Sequence, residues 1–201
     1  MSRASASPKL VVALVGLPGA GKFAVAECFV ARGFTWIELS AVLKSKLKAN
    51  GAAVTVDNLA ALSKQIRGEL GEDAVVRLAL KDIDSEADES VLIDGIRGPD
   101  EVALLRKVFG ASLFLVQCFA PTSERHRRIL QKAKIAKSLR DAEILDRNSA
   151  DLGICEPIAF ADAVLDLSDA RLNTVESQVA SLHRDILARA VRRHDNEPHK
   201  N

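Results

Sequence analysis

The stretch LVVALVGLPGAGKF, Leu10 to Phe23, constrains this chain more than any other. Its first six residues form an unbroken apolar run, which suits a central parallel strand buried on both faces. The run stops at Gly16, and Gly16-Leu17-Pro18-Gly19-Ala20-Gly21-Lys22 reads G-x-x-x-x-G-K. Glycines at these spacings let the backbone curl into a nest of N–H groups. The following helix aims its N-terminus at the same point, and Lys22 adds a cation. Strand, glycine turn and helix in that order make Gly16 to Phe23 a candidate phosphate-binding loop.

One position departs from the motif. A Ser or Thr normally follows the lysine and helps to hold Mg²⁺. Here Phe23 follows, then Ala24.

The rest of the chain alternates between the two secondary-structure types. Strands are expected at Phe34–Leu39, Ser90–Asp94, Ser112–Phe119 and Ala163–Leu167, with helices between them. The expected fold is α/β: a three-layer sandwich with a five-stranded parallel sheet. Residues 40–83 read as a mostly helical insert, with Ser40 and Asp57 as caps and a last helix over Asp73–Ile83. Pro99 opens a helix to Phe109, Pro121 to Leu130 forms another, and Leu139–Asp151 a third. Residues 1–8 are expected to form a disordered arm and 192–201 a frayed tail, leaving one domain over 1–201.

Charge narrows the function classes. Lys and Arg total 28 against 27 Asp and Glu, so no net field favours nucleic acid or a membrane surface. Cys28, Cys118 and Cys155 are widely spaced and form no C-x-x-C pair, which argues against a zinc site or a disulfide framework. No apolar run reaches membrane-spanning length. A reducing, cytoplasmic setting is expected.

Ligands of such sheets sit at the carboxyl ends of the strands. Asp94 ends an apolar strand there and is the candidate Mg²⁺ ligand or proton acceptor. Arg97 lies three residues on, with planar donors suited to phosphate. Arg125, Arg128, Arg140 and Arg147, with Lys132, Lys134 and Lys137, follow the fourth strand as a candidate basic lid over residues 131–150. Lys44 and Arg67 lie in the helical insert, where an acceptor clamp would sit.

These motifs together resemble the P-loop nucleotide kinases of the adenylate kinase type, and most of all small archaeal adenylate-kinase-related, dephospho-CoA-kinase-like proteins. GLPGAGK, FTWIELSAVLKSKLKANG, IRGELGEDAVVRLAL, LIDGIR, APTSERHRRIL and GICEPIAFADAVL carry the resemblance, over most of Leu10 to Leu167. It implies transfer of the γ-phosphoryl of ATP to a nucleotide such as AMP, or to a similar small phosphate acceptor, with Mg²⁺. It implies that Lys22 serves the ATP phosphates, that Arg97 serves the acceptor, and that Arg125, Arg128 and Arg147 belong to the lid. The chain departs from that pattern at Lys44, where the family has arginine, at Lys132 and Lys134, and at Phe23. The departure at Phe23 keeps a second reading open: a nucleotide-binding sensor or assembly protein with little catalysis.

Overall fold

The computed structural model describes residues 10–82, 89–132, 138–169 and 171–195. The expected arm at 1–8, most of the acidic loop after Asp82, Lys134 and Lys137, and the tail from residue 196 lie outside them. Five strands form one parallel sheet: β1 (Leu10–Val15), β2 (Thr35–Glu38), β3 (Ser90–Asp94), β4 (Leu113–Phe119) and β5 (Ala163–Asp166). Their order across the sheet is β2-β3-β1-β4-β5.

The apolar run of β1 is fully buried because the sheet is covered on both faces. Leu10, Val12 and Leu14 pack toward helices α1 (Lys22–Val30) and α9 (Leu172–Asp195). Val11, Ala13 and Val15 pack on the other side, against α2 (Leu39–Ala49), α3 (Val56–Leu70), α4 (Ala74–Ala79) and α5 (Pro99–Phe109). The three-layer α/β sandwich is therefore the one expected from the alternation.

Helix α1 after β1 goes to one face and α5 after β3 goes to the other. β1 and β3 are neighbours, so their carboxyl ends flank a topological switch point, where open α/β sheets bind ligands. The register aligns Leu14 with Asp94 and Glu38 with Asp94. Three strand ends thus meet beside the glycine loop.

Several boundaries differ from expectation. Ser40 does not cap α2: the helix starts at Leu39, and the Ser40 hydroxyl donates to Glu38 Oε1 at 2.5 Å. Thr55, not Asp57, caps α3, its hydroxyl accepting the Asn58 N–H. α4 ends at Ala79 and tightens into a 3₁₀ turn over Leu80–Asp82. α6 (Thr122–Gln131), α7 (Leu139–Asp151) and α8 (Cys155–Ala159) follow β4. Ser138 and Asp141 form a capping box at the start of α7, so that helix begins where sequence reading places it. α9 runs through Asp195, four residues into the stretch expected to fray.

Candidate functional site

The glycine loop leaves β1 and wraps the start of α1. Two of its glycines are required by close approach. A Cβ on Gly16 would lie 2.5 Å from the Cys118 carbonyl oxygen of β4. One on Gly19, at φ +78°, would lie 2.4 Å from the Arg125 carbonyl oxygen of α6. Neighbouring backbone therefore packs against the loop, and no side chain fits between.

Lys22 sits at the base of a cleft of about 590 Å³ whose walls include the loop, Trp36, Glu38, Lys44, Asp94 and Arg128. Its Nζ donates back to the loop, to the carbonyls of Gly16 at 2.6 Å and Leu17 at 3.3 Å. Burial holds the ammonium below its usual range; Asp94 opposes that shift and Arg97 adds to it. A bound phosphate would supply the counter-charge that this site holds only in part.

Asp94 is the complementary group. Burial pushes its carboxyl above the usual carboxylate range, Lys22 pulls it down, and Glu38 raises it again. Asp94 Oδ1 is buried with no hydrogen-bond partner. A buried carboxylate oxygen left unpaired costs free energy unless a ligand, ion or water meets it. Glu38, the next strand end, is engaged: it accepts from Ser40 and, at 2.7 and 2.8 Å, from Lys44. Burial alone would raise its pKa, but these bonds hold it below the usual value.

Asp94 therefore fits Mg²⁺ as a single protein ligand. Among the described residues no group of three or more His, Cys, Asp or Glu is arranged to hold a metal. An ion there would take its remaining ligands from substrate phosphates and water. Phe23 contributes no ligand atom to it.

Arg97 lies beyond Asp94. Its backbone N–H donates to Glu101 Oε2 at 2.6 Å, and its guanidinium reaches Ser149 Oγ of α7 at 3.4 Å. Glu101 is 1% exposed and also accepts from Arg67 Nη2 at 2.6 Å. One buried carboxylate thus ties the helical insert, through Arg67 of α3, to the end of β3.

Comparison with known proteins places this architecture. A protein of the UPF0200 family from Thermococcus gammatolerans is 30% identical over 183 residues, 89% of this chain and 96% of that relative. The chain belongs to the UPF0200 family. A UPF0200 protein from Thermococcus onnurineus is 29% identical over 184 residues, covering 99% of its length. No protein-family model matches the chain. Among solved structures, TT1252 from Thermus thermophilus superposes with a TM-score of 0.59 at 20% identity, covering 89% of this chain and 98% of that one. A shikimate kinase from Bacteroides thetaiotaomicron gives 0.55 at 14%, over 87% and 96%. A gluconokinase from Sinorhizobium meliloti gives 0.51 at 15%, over 92% and 98%. The fold is thus shared with a shikimate kinase and a gluconokinase and does not single out the adenylate kinase type.

In this UPF0200 protein the arginines expected in a lid are placed otherwise. Arg125 is buried on α6, donating to the Pro18 carbonyl at 3.0 Å and to both oxygens of Asp146 at 2.6 and 2.8 Å. His126 Nε2 lies 2.9 Å from the same carboxylate. Arg128 lines the cleft, yet it donates to the Leu167 carbonyl at 2.6 Å and to Glu124 at 2.8 Å. Arg125 braces the glycine loop through Pro18, Arg128 also reaches the Gly19 carbonyl at 3.5 Å, and both precede the segment 131–150. Arg147 is exposed on α7 and does not line the cleft.

The structure also brings in residues that sequence reading passed over. Glu38 ends its strand as Asp94 ends the next, and that parallel was the available signal. Glu101, four residues after Arg97, and Asp146, the partner of Arg125, gave none beyond their charge. Trp36 packs against the core and also lines the cleft.

Proposed function

We propose that the chain transfers the terminal phosphoryl group of ATP to a nucleotide, AMP among them, or to a related small phosphorylated acceptor. The observation that carries this reading is the unpartnered, buried Asp94 oxygen beside Lys22 at the base of the glycine-loop cleft. Gly16, Leu17, Pro18, Gly19, Ala20, Gly21, Lys22 and Phe23 supply backbone donors and the helix end for the donor phosphates. Lys22 releases the carbonyls of Gly16 and Leu17 and turns to phosphate, where its full charge is favoured. Asp94 holds Mg²⁺ directly or through water, or takes the proton of an attacking hydroxyl. Magnesium bound with ATP supplies charge neutralisation on the phosphates. Arg97 and Lys44 face the acceptor, while Arg125 and Arg128 act as positioning residues for the loop. An ATP-dependent activity of this kind is consistent with work in the cytoplasm.

The test is direct. Purified protein with Mg-ATP is offered nucleoside monophosphates, nucleosides and dephospho-CoA, and ADP is measured. No ADP above the background of the Lys22→Ala variant with any acceptor refutes the proposal. Phe23 is the specific observation that favours a second reading, a nucleotide-binding sensor or assembly protein. Losing one preorganised contact of the hydroxyl kind costs about 10²–10³ in rate. Tight ATP binding that ignores Mg²⁺, without turnover, would establish that second reading.

A further inference from the structure

Phe23 does more than omit a hydroxyl. The residue is 54% exposed, a large fraction for an aromatic residue one position past the glycine-loop lysine. It stands edge-to-face against Trp36, with centroids 5.5 Å apart and planes at 68°. The Lys132 ammonium lies 5.6 Å from the centroid of the same ring. All three line the cleft that holds Lys22 and Asp94. The Trp36 indole N–H, moreover, is buried with no hydrogen-bond partner.

An exposed ring braced by a second aromatic is a stacking surface. A flat π-system laid on Phe23 would gain the offset contacts that such pairs prefer, at little entropic cost because Trp36 fixes the ring. The surroundings select the charge of what stacks. Lys132 sits over the ring and Lys22 lines the same cleft, whereas Lys44 is paired with Glu38 and Arg128 with Glu124; the two cations left without a paired carboxylate outnumber Asp94, so the ligand that fits is anionic. A ring carrying a phosphate would displace Lys132 from the ring and keep it as a counter-ion. The unmet Trp36 donor adds a place for a ring nitrogen or carbonyl.

We infer that Phe23 and Trp36 form a ring-binding wall for the acceptor, and that the acceptor is a flat heteroaromatic compound bearing a phosphate. The inference rests on the phosphotransfer reading only for the word acceptor; the wall itself is a binding site. It also accounts for an aromatic residue where a hydroxyl is usual: the position is used for substrate selection instead of metal ligation.

The chain reports on this wall unaided. Trp36 is its one tryptophan and there is no tyrosine, so intrinsic fluorescence comes from the wall. The four common ribonucleoside 5′-monophosphates are titrated into wild type, Phe23→Ala, Phe23→Leu and Phe23→Tyr, with ribose 5-phosphate as a ring-free anion. Calorimetry gives the affinities and circular dichroism checks each variant's fold. At least one nucleotide should shift the Trp36 emission and bind more tightly than ribose 5-phosphate. Phe23→Ala and Phe23→Leu should weaken that binding about 5- to 150-fold, and Phe23→Tyr should restore it. Ring-bearing and ring-free ligands of equal affinity overturn the inference, as does unchanged nucleotide affinity in folded Phe23→Ala and Phe23→Leu. Phe23-dependent nucleotide binding without ADP formation supports the wall while removing the phosphotransfer reading. ADP formation with acceptors that are indifferent to Phe23 does the reverse.

Discussion

Removing the Glu101 carboxylate tests how Arg97 and the helical insert are held together. Glu101 is 1% exposed and Arg67 is 7% exposed; they meet at 2.6 Å, and Glu101 also accepts the Arg97 backbone N–H at 2.6 Å. In Glu101→Leu the side chain keeps similar bulk, but the Arg67 guanidinium loses its buried counter-charge and the Arg97 N–H its acceptor. Breaking a buried pair from one side costs roughly 3–5 kcal/mol. Arg67 retains the Ser63 hydroxyl and a long contact to Glu72 at 3.9 Å, and Glu72 is 64% exposed and well solvated. The lower end of that range, about 3 kcal/mol, is therefore expected. For a chain of this size it corresponds to a fall in Tm of roughly 6–12 °C.

A double-mutant cycle separates charge burial from packing. Arg67→Met together with Glu101→Leu removes both charges and leaves only the Arg97 N–H unmet, so the double variant should be more stable than Glu101→Leu alone. Urea unfolding at neutral pH, followed by circular dichroism, gives each free energy. A loss below about 1 kcal/mol in Glu101→Leu, the usual worth of an exposed pair, refutes the reasoning. So does strict additivity in the cycle.

Three further outcomes follow from the same coordinates. Gly19→Ala places a methyl 2.4 Å from the Arg125 carbonyl at a φ of +78°, so ATP affinity by calorimetry should fall at least tenfold with a stability loss of about 1–3 kcal/mol; unchanged binding would mean that the loop and α6 do not need their close approach. Burial raises the Asp146 pKa, but the hydrogen bonds from Arg125 and His126 outweigh it and hold the carboxyl below its usual value; that stabilisation is complete above the unfolded-state pKa of about 4 and is lost as pH falls through the folded value, so the urea midpoints of wild type and Asp146→Asn should differ at pH 7 and converge as pH falls through that lowered value. Burial pushes the Cys118 thiol up to about 12 and Cys28 is also buried, so a thiol reagent should modify exposed Cys155 quickly and the other two only on unfolding; three fast thiols would contradict the packing at the end of β4.

The parts of this protein legible in its sequence are those set by local periodicity or by backbone chemistry. The Leu10–Val15 run announces a doubly covered strand because each residue must be apolar whichever face it meets. The loop glycines announce a tightly packed turn after β1 because only glycine accepts the close carbonyls at 16 and 19. Asp94 stands out because a carboxylate ends an apolar strand. The arginines of α6 behave differently. Arg125, Arg127 and Arg128 look alike in sequence, yet Arg127 points outward to Glu124 while Arg125 and Arg128 turn inward to carbonyls of distant residues, 107 and 39 positions away. Such pairings are tertiary, and a run of cations carries no record of them. The same holds for Phe23 and Trp36, which touch only because α1 and β2 pack together.

The fate of those arginines changes where the charge of a transferred phosphoryl group would be met. Arg125 is spent on Asp146 and the loop carbonyl at Pro18, and Arg128 on Leu167 and Glu124, so neither offers the phosphate a full set of free donors. Lys22 and Arg97 are different: burial holds both below their usual pKa range, and the Arg97 guanidinium bond to Ser149 is long, at 3.4 Å. A cation destabilised by burial gains most when an anion arrives. Such a charge would thus be met by Lys22 at the start of α1 and Arg97 just past β3, two partly unsatisfied cations near the partly unsatisfied Asp94 carboxylate. The buried ion pairs around them, Arg67 with Glu101 and Arg125 with Asp146, fix their positions.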